Sequence, residues 1–92
     1  MPQTRAEVII SGRVQGVGFR YSTFRVAQRN GLTGWCRNNP DHTVAAVFEG
    51  EQEALEAMLE WCRRGPALAR VDDVQVRWGE ATGEFSTFSI EP

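Results

Sequence analysis

This 92-residue chain predicts an α+β fold of two layers, an antiparallel sheet with two helices on one face. Three observations carry that reading. One segment repeats apolar residues at the 3.6-residue helical period, and another, after a glycine-rich loop, reads as a helix. Several others alternate apolar and polar residues at period two. Turn formers separate these segments in the order strand, helix, strand, strand, helix, strand.

Residues 6–11 hold the apolar run Val8, Ile9, Ile10 and read as the first strand. Residues 20–30 read as the first helix, closed by the C-cap pair Asn30-Gly31. Residues 32–37 and 43–49 form a hairpin about Asn38-Asn39-Pro40-Asp41-His42, with Val44, Ala46 and Phe48 on one face. The second helix covers 51–64. Leu55, Met58, Leu59 and Cys62 form its apolar stripe, Glu51 and Glu53 suit its positive end, and Arg63 and Arg64 suit its negative end. Gly65-Pro66 stops it. Residues 71–78 place Val74, Val76 and Trp78 on one side, and Ser86, Phe88 and Ile90 alternate in a last short strand. Before that last short strand the order is βαββαβ, that of the ferredoxin-like two-layer sandwich. That fold hosts enzymes, RNA binders and metal carriers, so it leaves function open.

Size and charge narrow the classes. Residues 1–92 make one domain with one modest core. The net charge of −2 opposes a broad nucleic-acid surface, which needs a basic face. Met1-Pro2-Gln3-Thr4-Arg5 contains no apolar run, so no secretory signal is expected, and no stretch is long enough to span a membrane. The expected compartment is the cytoplasm, and the expected state a monomer. Cys36 and Cys62 match no metal spacing and read as reduced, buried small hydrophobes.

The most informative stretch is Gly12-Arg13-Val14-Gln15-Gly16-Val17-Gly18-Phe19-Arg20, between the first strand and the first helix. Three glycines let the backbone take positive φ and approach a ligand closely. The helix start adds unpaired N–H groups and the positive end of its dipole, so the segment is suited to an anion. No Ser, Thr, Asp or Asn stands at the N-cap; the residues there are Val17, Gly18 and Phe19. Arg20 has the wrong sign for a first turn, and its guanidinium can grip a phosphate through two parallel hydrogen bonds. The segment is neither a Walker A loop nor a dinucleotide fingerprint. The bland alternative is a tight connection whose glycines serve geometry alone.

These residues resemble the signature loop of the acylphosphatase family. Gly34-Trp35-Cys36-Arg37-Asn38 is similar to that family's second motif. The 65–74 segment resembles its link into the fourth strand, and Phe88-Ser89-Ile90 its C-terminal strand. The resemblance runs through the whole chain in order. It implies hydrolysis of acyl phosphates to a carboxylate and inorganic phosphate, with no metal or organic cofactor and a small-molecule acyl phosphate as the only partner. It further implies that Arg20 binds phosphate and that Asn38 positions the attacking water. His42 stands where the family usually has glycine, and Ala46 near another position often glycine or acidic. The chain ends in Glu91-Pro92, where many relatives finish in a basic or aromatic residue.

The chemistry asks for little more. Hydrolysis spreads charge over the phosphoryl oxygens in a loose transition state. Fixed donors, the backbone N–H groups of Gln15, Gly16, Val17, Gly18 and Phe19 with the Arg20 guanidinium, can meet that charge without reorganising. The Asn38 amide both donates and accepts, so it can orient a water, and a good leaving group removes the need for a strong base. A second reading is a non-catalytic module that binds acyl phosphate, carbamoyl phosphate or another anion. A third, an RNA-binding domain, finds few exposed aromatics on the third strand. His42 reads as a solvated turn histidine, Asp72-Asp73 as a solvated strand entry, and Trp35, Trp61 and Trp78 as at least partly core.

Overall fold

The computed structural model describes residues 3–92. Its elements are β1 (Thr4–Arg13), α1 (Phe19–Arg29), β2 (Thr33–Asn38), β3 (Val44–Gly50), α2 (Gln52–Arg64), β4 (Arg70–Glu80) and β5 (Phe88–Ile90). The five strands form one sheet in the order β4-β1-β3-β2-β5. All neighbours are antiparallel except β2 and β5, which pair in parallel, so the sheet is mixed. The first four strands and two helices keep the ferredoxin-like order, and β5 extends the sheet at one edge.

Period-two alternation decides which face is covered. Ala6, Val8 and Ile10 of β1, Val44, Ala46 and Phe48 of β3, and Cys36 of β2 point into one buried cluster. Leu55, Met58, Leu59 and Cys62 of α2 fill it from above, the stripe expected from the sequence. Helix α1 contributes Phe19, Thr23 and Ala27, one residue per turn. Thr23 is buried without penalty because its hydroxyl donates to the Phe19 carbonyl at 2.8 Å. Both cysteines are buried and free. Burial pushes each thiol up to about 12, so both stay protonated at neutral pH. Trp78, expected to be at least partly core, is 45 % exposed on the edge strand β4.

The helix ends obey their capping residues. After α1, the Leu32 N–H returns to the Ala27 carbonyl at 3.0 Å and the Gly31 N–H to that of Gln28 at 3.1 Å, with Gly31 at φ 67°. Gly65 ends α2 at φ 69° and makes room for its neighbour. A Cβ there would lie 2.6 Å from the Phe19 ring, so Gly65 also seats the first residue of α1. Phe19 in turn packs against Trp61 of α2, ring centroids 5.4 Å apart.

Among the described residues one carboxylate is buried. Glu49, 2 % exposed at the end of β3, accepts from the Arg5 guanidinium at 2.8 Å, the Thr82 N–H and hydroxyl at 3.0 Å each, and the Gly83 N–H at 3.1 Å. It thereby pins the segment that leads from β4 to β5. Burial alone would raise this carboxyl. The donors from Thr82, Arg5 and Gly83 outweigh burial and hold it below its ordinary value of 4.5. A lowered folded-state pKa means stability that is present above about pH 4.5 and lost as pH falls through the folded value. Glu49→Gln should therefore cost about 1–3 kcal/mol at neutral pH and flatten the acid limb of stability below about pH 4.5. Urea unfolding at a series of pH values reads both effects. An acid limb as steep as that of the parent chain would remove Glu49 as its source.

Candidate active site

Strands β1 and β2 flank β3 and are both antiparallel to it, so they run parallel to each other and finish at the same end of the sheet. The register makes this concrete: Val44, the first residue of β3, pairs with Ile10 on one side and Asn38 on the other. Ile10 is thus about two strand spacings, roughly 10 Å, from Asn38, and the last residues of β1 run on past that row at the same end of the sheet.

The β1–α1 connection is shorter than the glycine-rich segment implied. Gly12 and Arg13 still belong to β1, after a register shift between Ser11 and Gly12. Gly12 sits at φ 124°, and a Cβ on it would lie 2.2 Å from the Arg70 carbonyl oxygen. Its glycine therefore serves close contact with β4, not a ligand. The loop proper is 14–18, in which Gly16 and Gly18 take φ 75° and 78°. Gly18 is the N-cap of α1, and no side chain caps the helix there. Successive residues that switch between right- and left-handed conformations turn their N–H groups toward one side and make an anion nest.

A cleft of about 210 Å³ opens at this point. Gly16, Gly18, Arg20 and Asn38 give it its polar lining, and Val14, Phe19, Tyr21 and Ile90 its apolar lining. Among the described residues no carboxylate pairs with Arg20. The Asn38 side-chain oxygen is buried and no protein donor reaches it, the one such atom among the described residues. A buried acceptor without a donor costs on the order of 1–3 kcal/mol, so it marks a place where a ligand or water belongs.

The cleft thus brings together Arg20, Asn38, Gly16, Gly18 and Phe19 of the residues singled out from the sequence. Val17 instead packs on the hydrophobic core. The Gln15 side chain turns to the β2–β3 hairpin. Tyr21 and Ile90 are additions, 60 % and 39 % exposed. Ile90 was legible only as one member of an alternating strand; its place beside Asn38 follows from the parallel pairing of β5 on β2, where Ile90 lies opposite Cys36.

A larger depression, about 540 Å³, lies on the uncovered face of the sheet between Ile9, Trp35, Arg37, Ala45, Val47 and Gln75. It holds none of the residues above and faces no helix start. Its Arg5 and Glu7 are paired with each other, and Glu7 also with Arg77. Size alone does not make it the candidate site: its Arg37, which among the described residues pairs with no carboxylate either, lies over the Trp35 ring, whereas the smaller cleft joins a cation to an uncapped helix start and the orphan acceptor.

Three comparisons bear on the chain as a whole. The acylphosphatase family model matches residues 6–90. An acylphosphatase of Pelotomaculum thermopropionicum is 51 % identical over 90 residues, covering 98 % of each chain. One of Roseiflexus sp. is 53 % identical over 90 residues, covering 98 % of this chain and 97 % of its own. The crystal structure of acylphosphatase from Bacillus subtilis superposes with a TM-score of 0.94 at 34 % identity, over 97 % of this chain and 99 % of the other. The chain belongs to the acylphosphatase family. Its activity is that of the family, the hydrolysis of acyl phosphates.

The hairpin carries the departure seen in the sequence. His42 takes φ 74°, the one positive φ outside glycine among the described residues. The turn is held by Asp41, whose carboxylate accepts from the Thr43 hydroxyl at 2.6 Å and the Thr43 N–H at 3.1 Å. Those bonds keep the Asp41 carboxyl below its ordinary range. The left-handed conformation costs a side-chain-bearing residue about 1 kcal/mol or more. His42→Gly should raise stability by about 0.5–1 kcal/mol and Tm by roughly 2–6 °C, without loss of activity. A calorimetric scan checks this; a lower Tm would show that the imidazole contributes more than the backbone strain removes.

Proposed function

We propose that the phosphoryl group of the substrate sits on the N–H groups of residues 15–19 and the Arg20 guanidinium, while the Asn38 amide orients the attacking water. The observation that carries this reading is the orphan acceptor: the buried Asn38 oxygen shares one cleft with the nest and an unpaired guanidinium. A water there donates one hydrogen bond to that oxygen and keeps a lone pair free for phosphorus.

Each group then has one task. The nest and the first turn of α1 present donors fixed before the substrate arrives, so no reorganisation is needed as charge moves onto the phosphoryl oxygens. Arg20 supplies the positive charge and a planar fork that matches two of those oxygens. The acyl carboxylate leaves as a weak base, so no protein acid is required. The attacking water loses its proton as the P–O bond forms, and a phosphoryl oxygen of the substrate is the nearest acceptor. Residues 1–92 act as one acylphosphatase-like domain. The cleft is lined within one chain, which supports a monomer; the compartment we propose is the cytoplasm.

Two substitutions separate binding from chemistry. Arg20→Lys keeps the charge and loses the fork, so kcat/KM for benzoyl phosphate should fall by about 10²-fold or more. A wild-type value would remove the bidentate role. Asn38→Ala should lower kcat on the order of 10²-fold while inorganic phosphate inhibits within about threefold of its original strength. A normal kcat would take Asn38 out of the mechanism, and equal loss of phosphate inhibition would make it a binding residue.

A further inference from the structure

We infer that the Gln15 side chain is a positioning residue: it ties the phosphate loop to the β2–β3 hairpin and so sets Asn38 against the bound phosphoryl group. Its Nε2 donates to two backbone carbonyls of the hairpin, those of Asn39 and Thr43, each at 2.9 Å. These are its two available protons, used in full. Asn39 directly follows Asn38, and Thr43 directly precedes Val44, which pairs with Asn38 across the ladder. Both bonds therefore land at the neck of the turn, one residue from the atoms whose placement matters.

The connection is specific in kind. Among the described residues, it is the one side-chain hydrogen-bond link from loop 14–18 to the hairpin. The loop itself owes its shape to Gly16, Gly18 and the start of α1. The hairpin owes its shape to other bonds: the Asn39 N–H reaches the Thr43 carbonyl at 2.8 Å, the His42 N–H reaches the Asn39 carbonyl at 3.1 Å, and the Asn39 amide reaches the Thr43 hydroxyl at 3.0 Å. Both carbonyls that Gln15 holds thus keep a partner when it is removed. What is lost is the fixed relation between two locally stable parts, one gripping phosphate and one aiming water. Misplacing a reacting group by about 1 Å costs on the order of 10–100-fold in rate.

The inference rests on the role given to Asn38 above, and a double-mutant cycle keeps the two apart. Gln15→Met, of similar length and without donors, should lower kcat for benzoyl phosphate by roughly 10–100-fold. Inhibition by inorganic phosphate should change less than about threefold, since the nest is intact. The double variant Gln15→Met, Asn38→Ala should be no slower in kcat than Asn38→Ala alone, because a strut that acts only through Asn38 has nothing left to place. Gln15→Asn, which keeps the amide but falls one methylene short, should show the same non-additivity and serves if Gln15→Met does not fold. Independent, multiplying losses in the cycle would overturn the inference, as would wild-type kcat in both Gln15 variants. So would a fall in phosphate inhibition equal to the fall in kcat. A wild-type kcat in Asn38→Ala alone, by contrast, sinks the role of Asn38 on which the inference stands.

Discussion

The insertion of β3 between β1 and β2 is the constraint on which the site depends. Two strands antiparallel to a common neighbour must end at the same edge of the sheet, separated by the width of that neighbour. The row Ile10, Val44, Asn38 fixes the separation, and Val44 is wholly buried beneath it. The loop that leaves β1 and the asparagine that ends β2 lie far apart in sequence but close in space. The row holds the two strand ends roughly 10 Å apart with β3 between them, and the cleft of about 210 Å³ opens at that end of the sheet. Burial of the shared core face makes a slip of register costly, because a shift by one residue would turn Val44, Ala46 and Phe48 out of the core.

Around that frame, small residues act where backbone must come close or turn left-handed. Gly34 on β2 takes φ 133°, and a Cβ there would fall onto the Val47 carbonyl oxygen. Gly65 seats Phe19, and Phe19 begins α1, so the end of the second helix helps to set the start of the first. Gly16 and Gly18 differ from these, since nothing lies within 4 Å of the position a Cβ would take. Their glycines answer a conformational demand, not a steric one, which is what a loop shaped around a ligand requires. His42 meets the same kind of demand with a side chain attached, in a turn that Asp41 and Thr43 hold from within.

Much of this was legible in the sequence, for identifiable reasons. The stripe Leu55, Met58, Leu59, Cys62 and the alternation Val44, Ala46, Phe48 are periodic, and membership of the core cluster followed the period, although β3 is buried on both faces. The cleft residue Arg20 was marked by chemistry at odds with its local setting, a cation at a helix start; Asn38, an ordinary turn former by itself, was marked only by the family resemblance. Long-range pairing was not legible. The parallel seating of β5 on β2, which brings Ile90 to the cleft, leaves no trace in a three-residue strand. Nor did anything local show that the Gln15 side chain would cross to Asn39 and Thr43, or that Glu49 would gather donors from Arg5, Thr82 and Gly83. Gly12 was read with the loop because glycines in series look alike in sequence. Only the register shift beside Arg70 assigns it to β1.

The central claim is that inorganic phosphate finds a ready-made seat between the two strand ends. Backbone amide shifts followed during a titration with inorganic phosphate test it most directly. The account predicts that the N–H signals of residues 16–20 and the side-chain amide of Asn38 move together along one saturable curve, while the Trp35 indole on the uncovered sheet face stays still. Movement centred on Trp35, Ile9 and Gln75, or none in the loop at millimolar phosphate, would contradict it.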